Sequence, residues 1–309
     1  MHMRTIISID IGGTQLRAAA YKQGQREPFA QKKVKTKASE PDTFGRLVKL
    51  VEDIWSQTEK VTAIGVSSPG PVDPHTGVIM FAPNIKEWRD FPIAAKLMQH
   101  FGVPTYLDND ANLAGLAEWK FGAGRGHHNV LYLTVSTGVG GGVIINDRLL
   151  QGYHGLAAEL GHTVVQADGP LCGCGQRGHL ESFSSGTGIE RFVADQLKAG
   201  RASVLHPGKK NSAHDISEAA KQGDAVAKRI FTIVGEYIGV GLASVVNLLN
   251  PEIIIIGGGV ADAGDILLNP IKETIRKRAM PIAASAVQIV PAKLGNNAGV
   301  IGASLLINS

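Results

Sequence analysis

One local pattern occurs twice in this chain, and the repetition limits what it can fold into. Ile6 to Thr14 reads as a strand running into Asp10-Ile11-Gly12-Gly13-Thr14, and Val130 to Gly142 as a strand running into Ser136-Thr137-Gly138-Val139-Gly140-Gly141-Gly142. Each run is rich in β-branched residues, ends in a glycine turn and continues into a second strand, Gln15 to Tyr21 and Val143 to Asn146, as a hairpin does. The repeat predicts a duplicated architecture in which each copy opens a domain. The length agrees, because 309 residues exceed what one hydrophobic core usually organises, and two domains with a ligand cleft between them are expected.

Between the two hairpins the pattern predicts a helix over Thr43 to Gln57, a strand over Val61 to Ser67 and a Pro/Gly-rich loop. A helix around Ile93 to Phe101, a strand over Thr105 to Leu107 and a helical run from Leu113 to Phe121 follow. The second half reads as a helix near Gly186 to Ala199, a mobile polar loop from Arg201 to His214, and helices over Ile216 to Gln222 and Asp224 to Leu249. A buried strand, Ile253 to Ile256, then ends at Gly257-Gly258-Gly259, and a last helix near Ala298 to Ile307 is assigned to the first domain. Alternating strands and helices argue for an α/β fold.

Composition excludes several classes. Lys+Arg 31 against Asp+Glu 27 is too even for a nucleic-acid binder, and the alternating lysines of Lys32-Lys33-Val34-Lys35-Thr36-Lys37 read as a solvated, protected strand edge. The longest apolar stretch, Tyr237 to Leu249, is broken by Asn250-Pro251 and falls short of the ~20 residues of a membrane span. Thr5 to Ile9 is already strand-like with no signal core, and Met1-His2 reads as an expression remnant. Cys172 and Cys174, the only cysteines, are separated by one residue and staple poorly, so a soluble, cytoplasmic protein is expected. The 38 glycines, above the usual ~7% share, favour ligand loops.

Five constellations carry chemistry. In Asp10 to Thr14 the glycines free backbone N–H groups to converge on phosphate oxygens, while Asp10 can hold Mg²⁺ through water; an ordinary hairpin turn is the alternative. The second loop, Thr137 to Gly142, weakens that alternative, because two such loops can clasp one polyphosphate. Neither matches the P-loop pattern. Gly258 and Gly259 permit the flat approach of an adenine or ribose, or form a simple strand-to-helix turn. In Asp108-Asn109-Asp110-Ala111-Asn112 the same residues suit a helix N-cap and a strand-end carboxylate that accepts a proton from an attacking hydroxyl, and Asp110 is the residue assigned to that task. His162, Cys172, Cys174 and His179 fall within 18 positions and suit tetrahedral Zn²⁺.

Together these residues resemble the ROK family of sugar kinases, within the superfamily of actin, hexokinase and heat-shock ATPases. The resemblance rests on Asp10 to Thr14, Ser68-Pro69-Gly70-Pro71, Ala82-Pro83-Asn84, Asn109-Asp110-Ala111-Asn112, Thr137-Gly138-Val139-Gly140-Gly141, Glu159-Leu160-Gly161-His162 and Cys172-Gly173-Cys174-Gly175. It implies a two-domain ribonuclease-H-like α/β fold with an interdomain cleft, residues 1–112 plus 296–309 forming the small domain and 113–295 the large domain with the zinc site. It implies ATP with Mg²⁺ at Asp10, Gly12, Gly13, Thr14, Thr137, Gly138, Gly140, Gly258 and Gly259. The hexose would meet Gly70, Asn84, Asn109, Asp110, Glu159, His162 and Glu181, with Asp110 as catalytic base. Zn²⁺ would be held as a structural brace, His162 offering its other ring nitrogen to the sugar.

Two departures stand out: the family's third cysteine is His179 here, and Ala158 replaces a common glycine before Glu159. Phe81 to Ile85, Asp90 to Ile93 and the Ala158 to His162 run are similar to the family's bacterial glucokinases, so phosphorylation of glucose at its 6-hydroxyl is the leading expectation. Kinases of N-acetylmannosamine, N-acetylglucosamine, mannose or fructose remain alternatives, as does polyphosphate as donor. A sugar-responsive transcription repressor is a remote alternative, because such members carry a helix-turn-helix before the first phosphate loop. A homodimer or homotetramer is expected from the family.

Overall fold

A computed structural model describes residues 4–37, 42–206 and 211–308. In chain order the first elements are β1 (Thr5–Ile11), β2 (Gln15–Lys22), β3 (Ala30–Lys35), α1 (Thr43–Trp55), β4 (Val61–Ser68), β5 (Val72–Asp73), β6 (Val78–Phe81), β7 (Arg89–Phe91), α2 (Ile93–Phe101), β8 (Thr105–Asn109) and α3 (Asp110–Phe121). There follow β9 (Val130–Val135), β10 (Val139–Ile145), β11 (Arg148–Leu149), α4 (Leu180–Ser184), α5 (Gly186–Lys198), α6 (Ala213–Lys221) and α7 (Ala225–Leu249). The last are β12 (Ile253–Gly257), α8 (Asp265–Arg278), α9 (Pro281–Ala286), β13 (Gln288–Pro291) and α10 (Ala298–Ala303).

Both hairpins form, and each heads a five-stranded sheet of the same plan. The first runs β3-β2-β1-β4-β8, with β1 and β2 antiparallel and β1, β4 and β8 parallel. The second runs β11-β10-β9-β12-β13, with β9, β12 and β13 parallel. The central strands are buried along their length, which is why β1 (TIISIDI) and β12 (IIIIG) read as continuous apolar runs. Asn146 and Asp147 close the β10–β11 hairpin with positive φ at both positions, the geometry of a two-residue hairpin turn. The chain divides into two compact units, one of residues 1–125, 142–158 and 296–309, the other of 126–141 and 159–295.

In the first unit, α1 projects Leu47, Leu50, Val51 and Ile54 from one face into a core shared with Ile7, Ile9, Ile64 and Val66. Asp42 caps this helix by accepting from Gly45 N at 2.7 Å. The expected Pro/Gly-rich loop contains a small β5-β6-β7 sheet with Trp88 buried beneath it. Its strands are two to four residues long, too short for alternation to reveal. β8 runs straight into α3 at Asp110, three residues earlier than the helical run expected from Leu113.

In the second unit, α7 corrects the sequence estimate of its longest apolar segment. It spans 25 residues and is long and apolar enough, by length and composition, to cross a membrane. Half of that segment is buried within the fold, against α8 among other elements: a Cβ at Gly235 would lie 2.8 Å from Pro270 Cβ, and one at Gly239 2.5 Å from Thr274 Cβ. The bare glycines admit the neighbouring helix. Of the expected polar loop, residues 207–210 lie outside the described residues, and Ser212 ends the remainder as the capping box of α6 with Asp215.

Candidate active site

The parallel strands of the first unit end side by side, with Asp10 opposite Ser67, Ser67 opposite Asp108, and Ser68 opposite Asn109. Carboxyl ends of parallel strands are where open α/β sheets take ligands. Asp10 Oδ1 accepts from Ser67 Oγ at 2.9 Å, and Arg17 Nε stands 3.8 Å from Oδ2. Burial pushes this carboxyl above its ordinary value, against the Ser67 hydrogen bond and the Arg17 charge. A Cβ at Gly299 of α10 would sit 2.8 Å from Asp10 Oδ1, so only glycine fits over the carboxylate.

The turn after β1 closes through Gly12 N donating to Gln15 O at 2.9 Å. At Gly13 the Asn84 side chain packs close, and an added Cβ would lie 2.5 Å from its Nδ2, so Asn84 would have to shift. The expected phosphate loop and an expected sugar residue therefore touch. Gly70 has φ +87 and would collide with Phe81 O if it carried a Cβ, and its carbonyl accepts from Asn109 Nδ2 at 3.2 Å. Asn109 caps α3 through Oδ1 to Ala111 N at 2.9 Å, and Asp110 Oδ1 accepts from the same N–H at 2.8 Å. Asp110 thus occupies the first turn of α3, half-buried, where the helix dipole favours a carboxylate. Behind it Asp108 is fully buried and accepts from Asn109 N, Asn112 Nδ2 and Gln151 Nε2 at 2.7, 2.9 and 2.6 Å.

In the second unit the Thr137–Gly138 turn is closed by Ser136 N donating to Gly138 O at 2.8 Å, and it leaves Thr137 exposed. Gly140 lies within β10, past the turn. Gly258 has φ +84 and would meet Val135 O if it bore a side chain, whereas Gly259 faces open space. Glu181 Oε2 accepts from Val139 N at 3.0 Å, tying this expected sugar residue to the glycine turn. Glu159 stands with Oε2 3.9 Å from His162 Nε2. Partial burial raises its carboxyl, with His162 opposing and Glu181 adding to the shift.

The ligand atoms of His162, Cys172, Cys174 and His179 lie within 4.8 Å of one another. His162 Nδ1 and His179 Nδ1 are 3.3 Å apart, Cys172 Sγ and His162 Nδ1 3.7 Å, and Cys174 Sγ and His179 Nδ1 3.2 Å. A tetrahedron with Zn–N of about 2.0–2.1 Å and Zn–S of about 2.3 Å has N–N edges near ~3.3 Å and N–S edges near ~3.6 Å. The donor set fits that ion. A tight turn makes this convergence, Cys172 N donating to Gln176 O at 2.7 Å and Gly175 and Gly178 adopting φ +90 and +76. Ser67, Arg17 and Gly299 around Asp10, and Gln151 behind Asp108, were not singled out from the sequence; Arg17 faces Asp10 across the β1–β2 hairpin, and the others come from distant segments.

The paired sheets, with glycine turns at the carboxyl ends of their parallel strands, define the actin/hexokinase-like two-domain fold. The ROK family model matches residues 6–309, and the chain belongs to that family. It is 35% identical over 308 residues to a glucokinase of Thermotoga maritima, covering 98% of this chain and 96% of that one. A solved ROK family glucokinase from Streptomyces griseus, in complex with glucose and AMPPNP, is 35% identical with a TM-score of 0.81 over 99% of this chain and 100% of that chain. A solved ROK family transcriptional regulator, a homologue of the E. coli Mlc protein, is 29% identical with a TM-score of 0.90 over 99% of this chain and 78% of its own.

Proposed function

We propose that this chain is an ATP-dependent glucokinase, transferring the γ-phosphoryl group of ATP to the 6-hydroxyl of glucose. The observation that carries this is Asp110, a half-buried carboxylate at the β8–α3 junction beside Asn109 and Gly70, on the same sheet end as the glycine turn that Asn84 touches. In this reading Asp110 accepts the hydroxyl proton as the phosphoryl group departs from ADP, and positioning plus charge stabilisation do the rest. Asn84, Asn109, Glu159, His162 and Glu181 orient the other hydroxyls. Backbone N–H groups of Gly12 to Thr14 and of Thr137–Gly138 bind phosphate oxygens, and Gly258–Gly259 lies against the nucleoside.

Asp10 suits Mg²⁺ through water, since its buried carboxylate faces Arg17 at 3.8 Å, beyond a direct hydrogen bond; bound there, Mg²⁺ would neutralise charge on the phosphates. His162, Cys172, Cys174 and His179 would hold Zn²⁺ as a cross-link. Four protein ligands leave no open position for substrate or water, which suits a brace. Cys172 Sγ lies 3.4 Å from Glu181 Oε1, and the other oxygen of Glu181 accepts from Val139 N, so the brace reaches the second glycine turn through one side chain.

The test is Asp110→Asn, which keeps the shape and the Ala111 N–H acceptor and removes the base. Glucose and nucleotide should still bind while kcat falls about 10²- to 10⁴-fold. Near-normal turnover would leave Asp110 as a helix cap only.

A further inference from the structure

Thr36 lies just beyond β3, far in sequence from the glycine turn, and has no exposed surface. All three of its polar groups are engaged. Its N–H donates to Thr14 O at 2.9 Å, its Oγ1 donates to Gly12 O at 2.6 Å, and its carbonyl accepts from Arg46 Nη2. Two of these bonds end on the Asp10–Thr14 turn. The third leads back through Arg46 Nη2, which also donates to Thr43 Oγ1 at 3.1 Å, and Thr43 Oγ1 donates to Glu87 Oε1 at 2.8 Å. Glu87 sits three residues after Asn84, the side chain that packs on Gly13.

Peptide geometry gives this arrangement a consequence. The peptide units are trans and planar, so the C=O of one residue and the N–H of the next point in opposite directions. Turning Gly12 C=O onto Thr36 Oγ1 turns Gly13 N–H the other way. A glycine turn has many backbone conformations open to it, and a hydrogen bond that fixes one carbonyl removes most of them. A buried acceptor that loses its donor also becomes costly in the closed conformation.

We propose that Thr36 is a positioning residue for nucleotide phosphate: its hydroxyl holds the Gly12–Gly13 peptide in the orientation that presents Gly13 N–H to a phosphate oxygen. The proposal rests on the reading of this turn as a phosphate loop. Thr36 touches no substrate and acts only through the turn.

The test compares Thr36→Val, which keeps the shape without the hydroxyl, with Thr36→Ser, which keeps the hydroxyl. Steady-state kinetics on the whole protein should show KM for ATP raised about tenfold in Thr36→Val, the factor equivalent to about 1.4 kcal/mol, with KM for glucose within about twofold. Thr36→Ser should restore the ATP value. Calorimetric titration with AMPPNP in the absence of sugar should give the same ratio of affinities. Should Thr36→Val not fold, Thr36→Ala tests the same lost bond. A variant with a lower Tm but unchanged nucleotide affinity, or with ATP and glucose KM raised equally, would make Thr36 a structural residue and overturn the proposal. If the wild-type protein bound AMPPNP but phosphorylated no sugar, the kinase reading would fail while the titration still decided the role of Thr36. A wild-type chain that bound no nucleotide would end both.

Discussion

Ala158 holds a backbone conformation that suits glycine. Its φ is +64, in the left-handed region, and it immediately precedes Glu159. The described non-glycine residues with positive φ are Lys60, Asp90, Asn146, Asp147, Ala158 and Asn250. Asn and Asp tolerate this region because their short polar side chains bond locally, and Asn250 is the left-handed cap of α7. Ala158 has no such compensation. The left-handed conformation costs a residue with a Cβ about 1–2 kcal/mol, and Ala158→Gly removes that strain. Glycine also loosens the unfolded chain, which offsets about 0.4–1 kcal/mol. The net expectation is a stabilisation of about 0.5–1 kcal/mol, or a Tm higher by about 1–1.5 °C at an unfolding entropy of about 2.1 cal/mol/K per residue. Differential scanning calorimetry of the two proteins at one pH and salt concentration measures it. A Tm lowered by more than 1 °C, taken as about the repeatability of the scan, would mean that strain at φ +64 is not what glycine relieves.

The wild-type chain should carry about one zinc by elemental analysis, and His179→Ala should lose it and raise the glucose KM; His179→Cys should retain both metal and affinity. A metal-free wild-type protein with full activity would remove the brace from the account. Gly13→Ala should raise the glucose KM about three- to tenfold, as loss of a neutral hydrogen bond does, because the new Cβ would lie 2.5 Å from Asn84 Nδ2 and push that side chain away. An unchanged glucose KM would separate Asn84 from the sugar.

The two leading hairpins, the parallel strands β4, β8 and β12 and the helices α1, α5 and α7 were legible because each carries its own pattern: β1 and β12 as apolar runs, α1 as a 3.6-residue stripe. The metal cluster was legible because its four ligands fall close together in sequence, and the chain only has to turn once to gather them. Elements shorter than the period escaped, as β5 to β7 did. α8 escaped too, with Pro270 inside a helix that sequence rules would break there. Around the candidate site, pattern picks out residues that belong to motifs, such as Asp10 and Asn109. It did not find their supports: Gly299 over Asp10, Gln151 on Asp108 and Thr36 under Gly12 come from other parts of the chain, and only the fold brings them in.

Glucokinase activity is measured by ADP release from purified protein with ATP and Mg²⁺ across a panel of glucose, mannose, fructose, N-acetylglucosamine and N-acetylmannosamine. Glucose should give the highest kcat/KM, and ADP release without sugar should be far slower. ADP release that no sugar stimulates would contradict this activity, and a clear preference for another hexose would move the assignment to that sugar.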